Sequence, residues 1–82
     1  MTNQDLLQRI SSDLNVVAGK PVIKGTRLSV DFILNLLAHG ASFDEIIEEY
    51  QGISTQDIQA CLLFASQAIA SATFMPLSTE PA

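Results

Sequence analysis

Residues 42–61 read SFDEIIEEYQGISTQDIQAC, and this stretch decides the fold. Ser42 and Glu45 are spaced as a capping box, in which the serine accepts a hydrogen bond from the Glu45 amide and the carboxylate reaches back to the Ser42 amide. A helix therefore begins there and ends at Gly52. Ser54 or Thr55 caps the next helix. The apolar face of the first of these helices comprises Phe43, Ile46, Ile47 and Tyr50.

Two helices joined by a tight turn at Gly52, the second longer than the first, are the layout of a helix-turn-helix. The plainer alternative is an αα-hairpin that serves only as a scaffold. The second helix of this pair, which is the third of the three predicted helices, runs until Pro76, because proline cannot continue it. Its predicted inward stripe is Ile58, Cys61, Leu62, Ala65, Ile69 and Ala72. The residues predicted to hold the two helices together are Ile47, Ile53, Ile58 and Cys61.

Toward the N-terminus, the helical period continues back to residue 30. Ser29 is the predicted N-cap, apolar residues recur from Val30 to Leu37, and Gly40 ends the helix. Residues 1–29 instead alternate short β-prone pieces with turns, which predicts a small hairpin of Pro21–Ile23 with Arg27–Ser29 around a positive φ at Gly25. Leu6, Leu7 and Ile10 fit either a frayed helix or another strand.

The expected fold is thus mainly α, with a three-helix core and a short N-terminal β-hairpin. Residues 1–75 form a single helix-turn-helix-like domain, divided into strands and turns at 1–29 and three helices at 30–75. Residues 76–82 form an extended or disordered tail. With 82 residues, 48% of them hydrophobic, the chain has more apolar surface than a lone three-helix domain usually buries, which favours a homodimer.

Charge divides the chain unequally. Residues 1–30 carry four basic and two acidic residues, a net +2, whereas residues 31–82 carry seven acidic residues and no Lys or Arg, a net −7. Phosphate is therefore attracted to the N-terminal part and repelled by the rest. The start of the chain lacks the pattern of a signal peptide, so we expect a cytoplasmic protein.

No residue pattern predicts catalysis, a cofactor or a metal site. One cysteine and one histidine cannot form an ordinary zinc site. His39 lies at a helix C-terminus, where it complements the dipole, and Cys61 is a small core residue. We therefore expect a protein that is not an enzyme and that works by binding.

Two sets of residues are candidates for binding. The third helix would present polar side chains to a DNA groove and the N-terminal part would supply cations, although Arg27 could equally pair with Asp31. The candidate nucleic-acid contacts are Lys20, Lys24, Arg27, Thr55, Gln56 and Gln59. The candidate dimer or partner interface is Leu63, Phe64 and Phe74.

Residues 19–30, GKPVIKGTRLSV, and residues 36–50, LLAHGASFDEIIEEY, resemble the bacterial domain-of-unknown-function family 433, over about residues 9–70. The resemblance implies a homeodomain-like or winged-helix-like fold. It also implies a typical setting as the antitoxin-like partner of a PIN-like ribonuclease in a VapBC-type pair. Gln56 and Gln59 depart from the charged residues common there. The matching positions are Gly19, Lys20, Pro21, Ile23, Gly25, Thr26, Arg27, Asp57 and Ile58.

The leading hypothesis is an antitoxin-like regulator that binds such a ribonuclease and touches operator DNA through its basic part. An acidic inhibitor is complementary to a ribonuclease, whose surface must attract RNA. The alternative is a homodimeric protein-interaction module that does not bind DNA.

Overall fold

The computed structural model describes residues 2–11 and 19–71. Within them lie four helices and two short strands: α1 (Asn3–Leu7), β1 (Ile10–Ser11), β2 (Val22–Ile23), α2 (Val30–Ala38), α3 (Phe43–Glu49) and α4 (Thr55–Ser71). The chain is mainly helical with a small antiparallel sheet near its N-terminus, as the sequence predicts.

The sheet differs from the predicted hairpin in its pairing. β1 pairs antiparallel with β2, with Ile10 opposite Ile23 and Ser11 opposite Val22. The predicted partner, Arg27–Ser29, contributes only an isolated bridge between Ser29 and Val22. A strand carries backbone N–H donors and carbonyl acceptors along both edges. β2 therefore forms hydrogen bonds with β1 on one edge and with its neighbour across the turn on the other.

The N-terminal alternatives both occur in the structure. Leu6 and Leu7 belong to α1, which Thr2 and Asp5 start with a capping box, and Ile10 begins β1. The helix is only five residues long, and tertiary contact with α4 rather than helix propensity accounts for its formation.

The three predicted helices are confirmed as α2, α3 and α4. The Ser29 hydroxyl accepts from the Phe32 amide at 3.2 Å to cap α2, and His39 and Gly40 end that helix, Gly40 with φ +97°. Ser42 and Glu45 form both bonds of the predicted capping box at the start of α3. Short polar motifs located these helix ends because caps depend on local geometry.

The core lies where α2, α3 and α4 meet the sheet. Its fully buried side chains include Ile23, Ile33, Ile46, Ile58 and Cys61. Ile53 is also buried, and Ile47 packs partly buried against the same cluster, so all four residues predicted to hold α3 and α4 together lie in the core or against it.

The predicted inward stripe of α4 is wrong in two places. Ile58 and Cys61 are buried, but Leu62 is 42% exposed and Ile69 is 60% exposed. Apolar residues surround much of this helix, so periodicity alone could not identify the buried side. Contacts with α1, α2 and α3 instead select the side that carries Asp57, Ile58, Ala60 and Cys61.

The predicted end of the third helix, Ala72, Phe74 and the tail 76–82 all lie outside the described residues. Among the residues that the structure describes, no helix is both long and apolar enough to cross a bilayer.

Candidate functional site

The first turn of α4 is organised around a buried carboxylate. Asp57 accepts hydrogen bonds from the Ser54 amide at 2.9 Å and from the Ser54 hydroxyl at 3.3 Å. Its other oxygen, Oδ1, lies 3.1 Å from Arg9 Nη1, and the Asp57 side chain is only 12% exposed. Asp57 therefore caps its own helix and ties that helix to the N-terminal segment.

A basic turn lies beside this contact. The Lys24 amide donates to the Arg9 carbonyl at 2.8 Å, so Lys24 is next to the residue whose side chain reaches α4. In the turn that follows, the Thr26 hydroxyl donates to the Ile23 carbonyl at 2.8 Å and accepts from the Leu28 amide at 3.0 Å. Gly25 has φ +83°, the positive value that the sequence predicts. We call residues 24–27 the basic turn.

The four cations of the chain divide into two groups. Arg9 pairs with Asp57, and Lys20 pairs with Asp31 at 3.4 Å. Lys24 and Arg27 are exposed and form no salt bridge with any residue in the described part of the chain. The alternative pairing of Arg27 with Asp31 is wrong, because Arg27 precedes the helix and the one-turn spacing of helical neighbours does not apply to it.

Asp31 is an exposed carboxylate in the first turn of α2. A hydrogen bond from the Ser29 side chain and, to a smaller extent, the neighbouring Lys20 lower the pKa of Asp31 below its usual value. Partial desolvation opposes the shift. Lys20 is therefore engaged with this carboxylate rather than with the basic turn.

The polar candidates on α4 are accessible. Thr55, Gln56 and Gln59 are all exposed, on the first turns of the helix. The pair between Asp57 and Arg9 joins these turns to Lys24. Arg9 thus connects the basic turn to the start of α4, whereas Lys20 is held against α2.

The apolar surface of α4 differs from the predicted interface. Phe64 is half-buried and packs against the core, and Leu63 is half-buried as well. The exposed apolar residues are Leu62 and Ile69, which are seven positions apart and so share a helix face. Residues 66–71 are all exposed, and the sequence from Ile58 to Ser71 has no charged residue. We call Leu62 and Ile69 the exposed face of α4.

A groove of about 520 Å³ lies between α2 and α3. Glu45, Glu48 and Glu49 line it, together with Tyr50, and its apolar wall is formed by Leu36, Ala41 and Ile46. Tyr50 also makes an edge-to-face contact with Phe32, at a centroid distance of 5.5 Å. We call this groove between α2 and α3 the acidic groove. Carboxylates beside an apolar wall suit side chains with an aliphatic stem and a cationic head.

Cys61 and His39, the residues considered as candidates for catalysis or metal binding, both have structural roles. Burial raises the pKa of Cys61 to about 12, with a further contribution from the negative charge of Asp57, so the thiol stays protonated near neutral pH. His39 caps α2, with Nδ1 2.8 Å from the Asn35 carbonyl oxygen. Within the described residues, no three His, Cys, Asp or Glu side chains are grouped to hold a metal ion.

A family model described as "Protein of unknown function (DUF433)" matches residues 10–65. The chain belongs to the DUF433 family. The match includes the basic turn, the acidic groove and the first two thirds of α4. The motif positions Gly25, Thr26 and Asp57 thus have local roles in this DUF433 chain, in the turn and in the helix cap.

A crystal structure of a DUF433 member from Anabaena variabilis ATCC 29413 is similar to the chain, with a TM-score of 0.73 and 25% sequence identity. The alignment covers 82% of this chain and 66% of that one. A search of curated proteins found no match.

Sequence reasoning missed the contact between Arg9 and Asp57. An aspartate in the first turn of the third helix would repel DNA if it were exposed, whereas the structure pairs Asp57 with Arg9 and buries it. The spacing of Ser54 and Asp57 is a capping-box pattern and could have located the carboxylate. Nothing local could have located Arg9, which is 48 residues away.

Proposed function

We propose that this chain is a non-enzymatic regulator of the antitoxin type, which binds a PIN-like ribonuclease and contacts nucleic acid through its basic turn. In this proposal α3 and α4 act as a helix-turn-helix, and the exposed face of α4 binds the protein partner. The observation that carries the proposal is that face, where Ile69 is 60% exposed on the same helix that buries Ile58, Ala60 and Cys61 in the core.

An exposed isoleucine and leucine on one face are costly to leave in water, and burying them against a partner is favourable by about 25 cal/mol per Å² of apolar surface. The absence of charged residues from Ile58 to Ser71 lowers the desolvation cost of such an interface. These properties support a protein-binding role for the second half of α4.

The acidic groove supports the choice of partner class. A ribonuclease presents positive charge to its RNA substrate, and Glu45, Glu48 and Glu49 offer negative charge beside an apolar wall. Complementary charge of this kind accelerates association and selects among partners. The groove and the exposed face would therefore act together on a basic nuclease.

The test is recovery of the tagged chain from its native cells at moderate salt, followed by identification of co-purifying proteins and assay of their ribonuclease activity with and without the chain. Recovery of a ribonuclease that the chain inhibits would establish the proposed role. A homodimer recovered without any nuclease would contradict it and favour the protein-interaction module.

Matched variants test the surfaces. Ile69→Glu should abolish recovery of the nuclease, whereas Gln67→Glu, which adds the same charge about half a turn away on the exposed helix, should leave it intact. In the groove, Glu48→Gln should slow association and Asp44→Asn, an exposed carboxylate outside the lining, should not. Equal effects within either pair would remove that surface from the interface.

The nucleic-acid part of the proposal rests on the neutralised start of α4. Because Arg9 pairs with Asp57, the negative charge nearest Thr55, Gln56 and Gln59 is largely cancelled. Glutamine can pair with adenine in the major groove, and Lys24 supplies a cation on the turn that Arg9 connects to this helix. A gel-shift titration with the DNA upstream of the gene tests this part separately, and failure to exceed the affinity for random DNA would contradict operator recognition.

A further inference from the structure

A cavity of about 400 Å³ opens beside the basic turn. Its lining is formed by Ser11 of β1, Val22 of β2, and Gly25, Thr26 and Arg27 of the turn. Its lining thus combines an arginine with two hydroxyl-bearing residues, and none of the described residues that line it is acidic. Lys24 adjoins it in sequence and is exposed.

The charge distribution singles out this cavity. The chain has nine acidic and four basic residues, and the structure pairs two of those four, Arg9 and Lys20, with carboxylates. Lys24 and Arg27 both lie in the basic turn and have no carboxylate partner in the described part of the chain. In a protein of net charge −5, two cations three positions apart in one turn and without such partners form a local positive region.

Two hydrogen bonds and a glycine determine the backbone conformation of the basic turn beside the cavity. The two hydrogen bonds of the Thr26 hydroxyl, to the Ile23 carbonyl and from the Leu28 amide, fix the path of the backbone. Gly25 has φ +83°, and a Cβ placed there would meet no atom within 4 Å, so the space above the turn is open. Arg27 is therefore presented from a fixed backbone beside open space.

We propose that this cavity binds a phosphate group, with the Arg27 guanidinium as its main donor and Ser11 and Lys24 as accessory contacts. Arginine offers a planar fork of donors that matches two oxygens of a phosphate. The inference deepens the proposed nucleic-acid contact and rests on it for the source of the phosphate, which could otherwise be a small phosphorylated ligand.

The experiment titrates the ¹⁵N-labelled full chain with inorganic phosphate, against sodium chloride at matched ionic strength, and follows the amide signals by NMR. We expect saturable shifts confined to Ser11 and residues 24–27. Shifts spread over the chain, or equal shifts with chloride, would overturn the proposal.

Two variants separate the site from general electrostatics. Arg27→Gln should weaken phosphate binding about ten-fold, since charge-assisted bidentate hydrogen bonds are lost, and Arg27→Lys, which keeps the charge without the fork, should weaken it less. Lys20→Gln removes the same charge from a residue held against α2 and should change the affinity by less than about two-fold. Equal losses in Arg27→Gln and Lys20→Gln would overturn the proposal.

A second titration, with duplex DNA, distinguishes the two proposals. If phosphate binds at the turn and DNA does not bind, the cavity serves a small phosphorylated ligand and the nucleic-acid function is wrong. If both bind, Arg27→Gln should reduce the slope of log K against log salt by about one. If DNA binds with an unchanged slope and phosphate does not bind, the cavity proposal is wrong and the nucleic-acid function stands.

Discussion

Replacement of Asp57 by asparagine should destabilise the domain more than any other substitution of a single charged group. The carboxylate accepts from the Ser54 amide, the Ser54 hydroxyl and Arg9 Nη1, at 2.9, 3.3 and 3.1 Å. Asparagine has the same shape but only one accepting oxygen, so its amide group must face either the Ser54 donors or the guanidinium. The folded state therefore loses one charged interaction and gains one unfavourable contact between two hydrogen-bond donors. Both changes lower the free energy of unfolding.

The magnitude follows from the exposure of the two partners. Loss of a helix cap costs about 1 kcal/mol, and an ion pair whose arginine is 37% exposed adds about 0.5 kcal/mol after screening. The mispaired, nearly buried amide brings the total to about 2 kcal/mol. For a domain of this size, that loss corresponds to a fall in Tm of about 10 °C.

Urea unfolding followed by circular dichroism measures this loss, with Asp44→Asn as the control. Asp44 is an exposed first-turn residue of α3 and should cost about 0.3 kcal/mol through the helix dipole. Arg9→Gln and the double variant complete a cycle, for which we expect a coupling of about 0.5–1 kcal/mol. If Asp57→Asn lowers the free energy of unfolding by no more than Asp44→Asn does, the role assigned to the buried carboxylate is refuted.

Three further predictions concern the core, the thiol and a helix end. Ile58→Ala should cost about 2–5 kcal/mol because Ile58 is fully buried, whereas Ile69→Ala should change the urea midpoint little, and equal losses would contradict the orientation of α4. Because the pKa of Cys61 is raised to about 12, the stability it contributes is complete below pH 9 and should fall above it by about 1.4 kcal/mol per pH unit. Above pH 9 the free energy of unfolding of Cys61→Ala should fall less steeply with pH than that of the unsubstituted chain. Equal slopes for the two proteins would show that the thiol is not the titrating group. Gly40→Ala should cost about 1 kcal/mol through strain at φ +97° rather than through a clash, and calorimetry that finds no loss would contradict the left-handed helix end.

Local motifs gave most of the fold in advance. The caps at Ser29 and Ser42, the helix end at Gly40 and the positive φ at Gly25 were each predicted from one or two residues and confirmed. Such features depend on hydrogen bonds between close neighbours, so the sequence around them is sufficient. The family membership followed in the same way, from the motifs at residues 19–30 and 36–50.

The candidate site was predicted less completely. The accessibility of Thr55, Gln56 and Gln59 agrees with their placement on a polar helix face. The interface residues Leu63 and Phe64 are half-buried, and the most exposed apolar residues are Leu62 and Ile69 instead. A helix with apolar residues on several sides has no single preferred buried face until its neighbours pack against it.

The sequence alone determined α2, α3 and α4, the caps at Ser29 and Ser42, the unequal distribution of charge and the family to which the chain belongs. Each of these is a property of neighbouring residues or of composition. The tertiary structure decided which side of α4 is buried, which strand β2 pairs with, and which two of the four cations are bound to carboxylates. Arg9 meets Asp57 across 48 residues, and only the packing of the folded chain can bring such distant groups together and leave Lys24 and Arg27 without a carboxylate partner in the described part of the chain.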